Sequence, residues 1–355
     1  MKEKSIVTMG GSFNPPTMAH LKIMQVSLDA VNAESGFFVP VSFPYQKRKM
    51  VKAGQSHLCL PNDLRLEMLE AMIASDDRIR IFTDVMGDPF SDDVGFMKLL
   101  REKYPDADIY YVAGDDKLAL LDHFAEKSDF FDRFRCILFA RDNDRLMEKV
   151  ADYEHLAEHV NSFVPVTPPN GIEGISSTRI REHLFDIDMV SEMLHPEVIP
   201  LLKKLKMEDY PEEILQFKDE YSFLSNDHPA EITTEGISYP CVTSAFLASK
   251  SCDIKEKKAI SKMRLETAKQ KYSAKPESEA WEKQKTAVME ELVRLKFRQH
   301  PDLQEKLMET GNRRLVNGSK SEKTDLFWGV NLITWEGKNL LGSILMKIRS
   351  EEKIK

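Results

Sequence analysis

The sequence has few cysteines and no long apolar run, and each shortage excludes a class of protein. Its four cysteines are widely spaced among 355 residues and form no pair with the spacing of metal ligands. Neither a zinc site nor a disulfide framework is therefore expected. No stretch approaches the roughly 20 apolar residues that a membrane-spanning helix requires. The sequence therefore predicts a protein without a membrane partner.

A basic excess is missing as well, which argues against a general nucleic-acid-binding protein. The chain has 50 Lys and Arg residues against 58 Asp and Glu residues, a formal net charge of -8. Residues 207–355 contain 25 residues of each sign, so the acidic excess lies entirely in residues 1–206. Proteins that bind nucleic acids carry a positively charged surface. A small anionic ligand held by local donors fits this composition better.

The remaining composition is that of a soluble globular protein, with 42% hydrophobic and 30% charged residues. A chain of this length accommodates two domains. The segment 207–214 is polar and contains a proline, so we interpret it as a linker between a domain at 1–206 and another at 215–355. Residues 1–4 lead directly into the first predicted strand, so we expect no targeting peptide and a cytoplasmic location.

Residues 10–20, GGSFNPPTMAH, form the most informative stretch. A short apolar run precedes them and helical periodicity follows, which is the pattern of a strand, a tight turn and a helix start. Gly10 and Gly11 lack the Cβ atoms that would keep a phosphate away from the backbone. Thr17 and His20 are three residues apart and therefore share one face of the helix. Backbone N–H groups, a hydroxyl and an imidazole thus converge, which predicts a nucleotide phosphate site.

Short strands alternate with helical segments through most of residues 1–206. Because helices separate the strands, the strands are expected to pair in parallel. The pattern predicts an α/β domain with a doubly wound parallel sheet. The predicted strands lie near residues 6–9, 37–41, 78–82, 108–113, 135–140 and 163–166.

Two further segments follow the ends of predicted strands. The segment 45–49 carries three cations after the second strand, and it is either a solvated charge cluster or a phosphate site. As a phosphate site it would use Lys47, with Lys49 as the alternative. The fourth strand ends in the residues 114–116, Gly-Asp-Asp, a composition that is also common in turns.

A hydroxyl-rich motif, ISSTRIR, occupies residues 175–181. Ser177 and Thr178 stand at a predicted helix start, where hydroxyl and N–H groups suit an anion. Arg181 follows within the first turns and can form a bidentate contact with phosphate oxygens. Taken alone, the motif is typical of a helix N-cap.

The motifs at 10–20, 114–116 and 175–181 resemble, in this order, the (His/Thr)xxHis, GxD and ISSTxxR signatures of the nucleotidylyltransferase superfamily. Within it, GSFNPPTxAH most resembles the nicotinamide or nicotinate mononucleotide adenylyltransferases. The resemblance covers residues 5–204 and implies a Rossmann-like nucleotidylyltransferase fold. It also implies transfer of AMP from ATP to the phosphate of a pyridine mononucleotide, with release of pyrophosphate, in NAD biosynthesis or salvage.

The resemblance implies a role for each matching residue. His20 would donate a hydrogen bond to the α-phosphate with the assistance of Thr17, and Mg²⁺ would enter with ATP and bridge its phosphates. No metal ligand from the protein is implied, and the choice between nicotinamide and nicotinate is left open. The ligands of ATP and its phosphates would be Gly11, Ser12, Phe13, Lys47, Asp116, Ser177, Thr178 and Arg181.

Two alternative functions remain open. One is an adenylyl- or cytidylyltransferase that acts on another phosphorylated substrate, and the other is a regulatory protein that senses nucleotides without chemistry. In each case the expected partners are small molecules. Self-association into a homo-oligomer is left open.

The second half of the chain has mostly helical periodicity from 242 to 307, followed by a segment centred on Trp328. Aromatic residues are either core or a platform for a base or ribose. The segment resembles the NADAR (YbiA-like) family, which implies a mainly α-helical domain. The family hydrolyses N-glycosidic bonds in ADP-ribosyl or ribose-phosphate compounds. The resemblance covers 215–350 and rests on EYxFLSN at 220–226, YP and AFxAxK at 239–250, DxFWG at 325–329 and GxNxLGxxLMxxR at 337–349.

The second domain departs from this family at an informative position. Thr243 stands where the family has a glutamate expected to serve catalysis, and Asn317 stands where it often has an acid. Either Asp325 or Glu220 supplies the carboxylate of a glycosidase, or the domain is a non-catalytic ADP-ribose-type binding module. The pocket residues implied by the resemblance are Glu220, Asn226, Lys250, Trp328 and Asn339, with Asp325 as the catalytic candidate.

Overall fold

The computed structural model describes residues 5–140, 145–273 and 278–353. Residues 1–4, on which the expectation of no targeting peptide rested, lie outside the described residues. The chain divides into two compact units, Met1–Tyr210 and Pro211–Lys355. Within the segment interpreted as a linker, Met207–Asp209 forms a 3-10 turn and Glu213–Ile214 forms a strand of the second unit.

The first unit is built on one sheet of six parallel strands, which confirms the predicted doubly wound α/β fold. Its strand order is β3-β2-β1-β4-β5-β6. The order reverses between β1 and β4, and open α/β sheets bind ligands at this switch point, beyond the carboxyl ends of the strands. The strands are β1 Ser5–Gly11, β2 Ser35–Pro40, β3 Ile79–Ile81, β4 Asp108–Gly114, β5 Arg135–Phe139 and β6 Phe163–Val166.

Helices cover both faces of this sheet. Because successive strand residues point to opposite faces, Phe37 packs in the hydrophobic cluster on one face and Phe38 in the cluster on the other. This burial on both faces explains the near-continuous apolar character of the strands. The helices are α1 Met18–Ala30, α2 Phe43–Lys52, α3 Asn62–Ile73, α4 Asp93–Lys103, α5 Leu118–Lys127, α6 Phe130–Arg133, α7 Leu146–Ala151, α8 Ser177–Glu182 and α9 Ile199–Leu202.

The second unit is mainly helical, as its sequence pattern predicts, and its strands are short. Its hydrophobic core includes Trp281, Leu292 and Phe297 of α13. Its helices are α10 Val242–Ser249, α11 Ile254–Ser261, α12 Leu265–Tyr272, α13 Glu279–Gln299, α14 Pro301–Glu309 and α15 Leu340–Lys353. Its strand pairs are β7 Glu213–Ile214 with β10 Arg314–Leu315, β8 Ile232–Thr234 with β9 Ile237–Tyr239, and β11 Gly318–Ser319 with β12 Val330–Asn331.

No helix in the described ranges combines the length and the apolar character that crossing a membrane requires.

Candidate functional site

A cavity of about 390 Å³ lies at the carboxyl ends of β1 and β4, where the strand order reverses. Seven of the residues predicted to bind nucleotide line it: Gly11, Ser12, Phe13, His20, Ser177, Thr178 and Arg181. Residues from distant parts of the first unit therefore meet at one place. The remaining lining residues are Gly10, Val41, Tyr45, Lys49, Met50, Ala53, Asp93, Tyr111 and Lys117.

The imidazole of His20 is held in a defined protonation state. The main-chain N–H of Thr17 donates to its Nδ1 at 3.0 Å, and the Thr17 hydroxyl lies 2.8 Å from the same nitrogen. Because a backbone N–H can only donate, Nδ1 is the acceptor and the proton of the neutral ring is on Nε2. Burial, with a smaller contribution from the charge of Lys49, lowers the pKa of His20 to about 4. His20 is therefore a neutral hydrogen-bond donor at neutral pH.

Thr17 has a different role from the one predicted. Its side chain caps the N-terminus of α1, it is 1% exposed, and it is not among the residues that line the cavity. The prediction of Thr17 as a catalytic residue is therefore corrected, because it assists by positioning His20 and not by a contact of its own in the cavity. Thr17 forms a reciprocal capping box with His20, in which each residue satisfies a group of the other.

The loop between β1 and α1 is fixed by Asn14, which is fully buried. The amide oxygen of Asn14 accepts from the Leu60 N–H at 2.9 Å, and its amide nitrogen donates to the Leu58 carbonyl at 3.2 Å. A cis peptide joins Asn14 to Pro15, and Phe13 has a φ of 43°. The Phe13 ring packs edge-on against the His20 ring with centroids 5.1 Å apart. The loop therefore supports the imidazole from a second side.

The two glycines before this loop lie close to neighbouring side chains, a steric constraint that the sequence did not predict. A Cβ atom on Gly10 would lie 2.8 Å from the Phe96 ring and 3.0 Å from Oδ1 of Asp93. A Cβ atom on Gly11 would lie 3.0 Å from the Phe13 ring. Both glycines line the cavity, and a side chain on either would crowd these neighbouring side chains.

The lysine of α2 that lines the cavity is Lys49, the stated alternative, and the structure places Lys47 elsewhere. Lys47 is 6% exposed, and its ammonium donates to the Ser56 carbonyl at 2.7 Å. Both lysines lie on α2, and residues two apart on a helix point to nearly opposite sides. Burial lowers the pKa of Lys49, and the nearby charges of Lys117 and Arg181 lower it further. The cavity thus concentrates positive charge.

Arg181 ties its own helix to the loop after β1. Its guanidinium donates to the Asn14 carbonyl at 2.8 Å, to the Thr178 hydroxyl at 3.0 Å and to Oε1 of Gln55 at 3.1 Å. The hydroxyl of Ser177 donates to the Pro15 carbonyl at 2.8 Å. Burial lowers the pKa of Arg181 from its ordinary value. The hydroxyl motif is therefore more than a helix cap, because its side chains contact the loop between β1 and α1, the helix that carries His20.

Asp116 is not brought to the cavity. Its side chain is exposed and folds back over Gly114, where a Cβ atom would lie 2.5 Å from Oδ1 of Asp116. The neighbouring Asp115 forms an ion pair of 3.2 Å with Lys149. The structure therefore places the predicted nucleotide ligand Asp116 outside the lining of this cavity, as a part of the turn that ends β4.

Four polar lining residues were not singled out from the sequence: Tyr45, Asp93, Tyr111 and Lys117. Asp93 forms a hydrogen bond with Tyr111, and burial raises the pKa of both groups. In the sequence Tyr111 looks like a core residue of a strand, and Asp93 looks like one of two aspartates at a helix start. Asp92 is the cap, because its Oδ1 accepts from the Gly95 N–H at 2.8 Å.

In the second unit, Asp325 and Asn339 are occupied by the backbone. The Asp325 carboxylate accepts from the N–H groups of Phe327 at 2.9 Å and Trp328 at 3.3 Å, so it stabilises a turn. Asn339 is 7% exposed, accepts from the Asn317 N–H at 2.9 Å and donates to the Leu315 carbonyl at 2.9 Å. The prediction that Asn339 is a pocket residue is therefore corrected to a structural role.

The other residues predicted for this unit lie on several elements. Glu220 is exposed on the 3-10 turn Asp219–Leu224, and Lys250 is partly buried directly after α10. The half-buried Trp328 packs edge-on against Phe246 with ring centroids 5.6 Å apart. The structure therefore places Trp328 against the core of this unit.

Thr243 takes part in a polar chain. Its N–H donates to the Asn226 carbonyl at 3.1 Å, and its hydroxyl donates to the Asp227 carboxylate at 2.6 Å. Asp227 also pairs with Lys269 at 2.6 Å. At the position of the missing glutamate there is thus a hydroxyl bound to a neighbouring carboxylate.

A buried lysine holds the backbone next to these polar contacts. Lys296 is 1% exposed, and its ammonium donates to the carbonyls of Phe223 at 2.5 Å and Ser225 at 2.8 Å. Burial lowers the pKa of Lys296 to about 7. These two contacts hold the segment that leads to Asn226.

Within residues 5–140, 145–273 and 278–353, no three His, Cys, Asp or Glu side chains come together in a group that could hold a metal ion.

Comparison with known families gives one match for each half of the chain. Residues 8–183 match the cytidylyltransferase-like family, and residues 208–352 match the NADAR domain. The chain joins a cytidylyltransferase-like domain to a NADAR domain. The family resemblances stated for both halves are thereby confirmed.

Individual relatives are similar to one half or the other. The cytidylyltransferase-like domain is similar to a probable nicotinate-nucleotide adenylyltransferase of Clostridium acetobutylicum, with 26% identity over 211 residues, 58% of this chain and 99% of the relative. The NADAR domain is similar to N-glycosidase R617 of Acanthamoeba polyphaga mimivirus, with 45% identity over 83 residues. That match covers 21% of this chain and about half, 47%, of the viral protein.

A solved structure is also similar to the first half. It is a Plasmodium falciparum nicotinic acid mononucleotide adenylyltransferase complexed with NaAD, with a TM-score of 0.41 and 18% identity over 58% of this chain and 98% of the other.

Proposed function

We propose that the cytidylyltransferase-like domain transfers AMP from MgATP to the phosphate of a pyridine mononucleotide and releases pyrophosphate. The observation that carries this proposal is the neutral His20, held as an Nε2–H donor in a cavity that also contains Lys49 and Arg181. The name of the Clostridium acetobutylicum relative, a probable nicotinate-nucleotide adenylyltransferase, supports the choice of substrate class.

The reaction needs alignment and charge stabilisation rather than a protein nucleophile. An ionised oxygen of the mononucleotide phosphate forms a bond to the α-phosphorus of ATP. The bond from that phosphorus to the oxygen of the departing pyrophosphate breaks. The attacking oxygen carries no proton, so no general base is required. Catalysis then depends on donors aimed at the charge that develops on the α-phosphate.

The cavity residues divide naturally between these tasks. His20 donates through Nε2 to an α-phosphate oxygen, and its low pKa keeps the ring in a single donor state near neutral pH. Lys49 and Arg181 offset the charge of the β- and γ-phosphates, and the Thr178 hydroxyl, which accepts from Arg181, donates to their oxygens. The Ser177 hydroxyl holds α8 against the Pro15 carbonyl. Thr17 keeps Nε2 as the donor by bonding to Nδ1.

We treat Mg²⁺ as part of the MgATP substrate. When bound, it would bridge phosphate oxygens and reduce their negative charge. Asp93, which is bonded to Tyr111, is the one carboxylate among the described lining residues. This donor set suits an ion whose ligands are mainly phosphate oxygens and water.

The proposal is tested by incubating the full chain with ATP, Mg²⁺ and, separately, nicotinamide or nicotinate mononucleotide. Formation of a dinucleotide with an equal amount of pyrophosphate is the expected result. Pantetheine phosphate and a sugar phosphate with CTP serve as comparison substrates. If one of these is used and neither mononucleotide is, the adenylyltransferase proposal is wrong. Nucleotide binding without any product would instead support a sensor.

We propose that the NADAR domain binds an ADP-ribosyl-type compound and that Asp325 does not catalyse its hydrolysis. Two observations favour this reading. The Asp325 carboxylate is committed to two backbone N–H groups, and Thr243 occupies the position of the expected glutamate. Saturable binding of ADP-ribose by calorimetry, without release of a base or ribose phosphate, is expected. Release that is lost in Asp325→Asn would establish the glycosidase instead.

A further inference from the structure

Asp93 stands apart from the other groups of the nucleotide cavity. Among the described residues that line it, Asp93 is the only acidic one, whereas Lys49, Lys117 and Arg181 are cationic. The proposed reaction has no step for a carboxylate, because the attacking phosphate oxygen carries no proton. The presence of Asp93 therefore calls for a different explanation.

Asp93 is not explained as a helix cap. It is the first residue of α4, and the preceding Asp92 already accepts from the Gly95 N–H at 2.8 Å. Its Oδ1 would be 3.0 Å from a Cβ atom on Gly10, which places the carboxylate directly beside the end of β1. The carboxylate is thus free of the capping role and lies next to the loop that leads to His20.

The neighbours of Asp93 favour its ionised form against the effect of burial. Burial raises the pKa of Asp93, while the hydrogen bond from Tyr111 and the charges of Lys117 and Lys49 lower it. Asp92 acts in the opposite direction. Lys117 is exposed and its charge is screened by solvent, so a cationic group bound beside the partly buried carboxylate would add to the stabilisation of its ionised form.

The substrates offer one such partner. The phosphates carry negative charge and belong with the cations, and adenine and the riboses are neutral. The pyridinium ring is the only cation among the organic groups of the two substrates. Nicotinamide adds a carboxamide that donates N–H hydrogen bonds, whereas nicotinate adds a carboxylate that repels an anionic neighbour.

We propose that Asp93 is a specificity-determining residue that faces the pyridine ring and makes the enzyme prefer nicotinamide mononucleotide to nicotinate mononucleotide. This inference rests on the adenylyl transfer proposed above. Like-charge repulsion at a partly buried site is sufficient to discriminate at least about tenfold between two otherwise identical ligands.

The test compares kcat/KM for the two mononucleotides at saturating MgATP in the wild-type chain, Asp93→Asn and Asp92→Asn. The amide oxygen of Asn at position 93 still accepts from Tyr111, so the substitution removes charge with little change of shape. The wild type is expected to prefer nicotinamide mononucleotide at least tenfold. Asp93→Asn is expected to reduce that preference about tenfold, chiefly by improving the use of nicotinate mononucleotide.

Asp92→Asn is the matched control, because it removes a charge from the adjacent, exposed residue and retains a good N-cap. It is expected to keep the wild-type preference. A wild type that prefers nicotinate mononucleotide, or an Asp93→Asn variant with an unchanged ratio, overturns the assignment while adenylyl transfer stands. If no variant adenylylates either mononucleotide, the proposed function itself fails. Calorimetric titration of wild-type protein with each mononucleotide measures the preference without any variant.

Discussion

The main-chain N–H of Thr17 donates to Nδ1 of His20 at 3.0 Å, and this contact determines that Nε2 carries the proton of the neutral ring. Because the contact uses backbone rather than side chain, substitution of Thr17 cannot remove it. The Thr17 hydroxyl, 2.8 Å from the same nitrogen, adds to it. The backbone at the start of α1 thus determines that Nε2 of His20 is a hydrogen-bond donor in the cavity.

Replacing His20 by Ala should remove the donor to the α-phosphate. We expect kcat for adenylyl transfer to fall by about 10²–10⁴, the usual scale for a transition-state donor. Since His20 is only partly buried, the far-ultraviolet circular dichroism spectrum should not change. The measurement is pyrophosphate release at saturating substrates. A variant within threefold (about 0.7 kcal/mol) of wild type would remove His20 from the mechanism.

Replacing Thr17 by Val removes the hydroxyl and leaves the backbone donor in place. We expect kcat to fall roughly five- to tenfold, because one supporting hydrogen bond of the imidazole is lost. The free energy of unfolding should fall by about 1 kcal/mol, the usual cost of losing a helix cap. Thr17→Ser retains the hydroxyl and is the matched control. If Ser fails to restore kcat, the hydroxyl is not the reason for the loss.

The two lysines of α2 should behave differently when each is replaced by Met. Lys49→Met removes a cavity cation and is expected to lower kcat/KM for ATP by about 10²–10³. Lys47→Met leaves the Ser56 carbonyl without its donor and is expected to cost about 1–3 kcal/mol of stability. Steady-state kinetics and urea unfolding of both variants make the comparison. If Lys47→Met lowers kcat/KM for ATP and Lys49→Met lowers only stability, the phosphate contact belongs to Lys47.

The pKa of His20 makes stability depend on pH in a defined direction. The folded protein keeps His20 neutral down to about pH 4, whereas the unfolded chain protonates it near 6.5. Between these values the unfolded chain binds more protons, so the free energy of unfolding falls as the pH falls from 6.5 to 4. The full effect is on the order of 3 kcal/mol.

This pH effect is isolated by comparison with His20→Gln, which does not titrate. The difference in the free energy of unfolding between wild type and variant, measured by urea unfolding from pH 7.5 to 4, should shift against the wild type as the pH falls. Parallel curves for the two proteins would show that the folded state does not disfavour the imidazolium.

Part of the fold and part of the candidate site could be predicted from the sequence, for physical reasons that differ between residues. Apolar runs such as Ile109 to Val112 are short and end at turn residues, which is typical of a buried strand, so the sheet was predicted together with the place of its loops. His20 and Arg181 lie in motifs at strand and helix ends, which topology gathers at one edge.

The residues that were missed depend on information absent from local patterns. The choice between Lys47 and Lys49 depends on where α2 starts, and the cation cluster gave no indication of that. Tyr111 looks the same whether it faces core or ligand. Asn339 was expected in a pocket because the family resemblance implies it, yet its partners are backbone groups of Leu315 and Asn317, which no residue pattern identifies.

The bond from Arg181 to the Asn14 carbonyl spans 167 residues of sequence. During synthesis the loop around Asn14 leaves the ribosome first. Nearly the entire first domain is translated before its partner, Arg181, is made. A nascent chain that ends ahead of α8 contains all six strands of the sheet but lacks the guanidinium that completes the cavity. The cavity thus gains its full lining only when translation of this domain is almost finished.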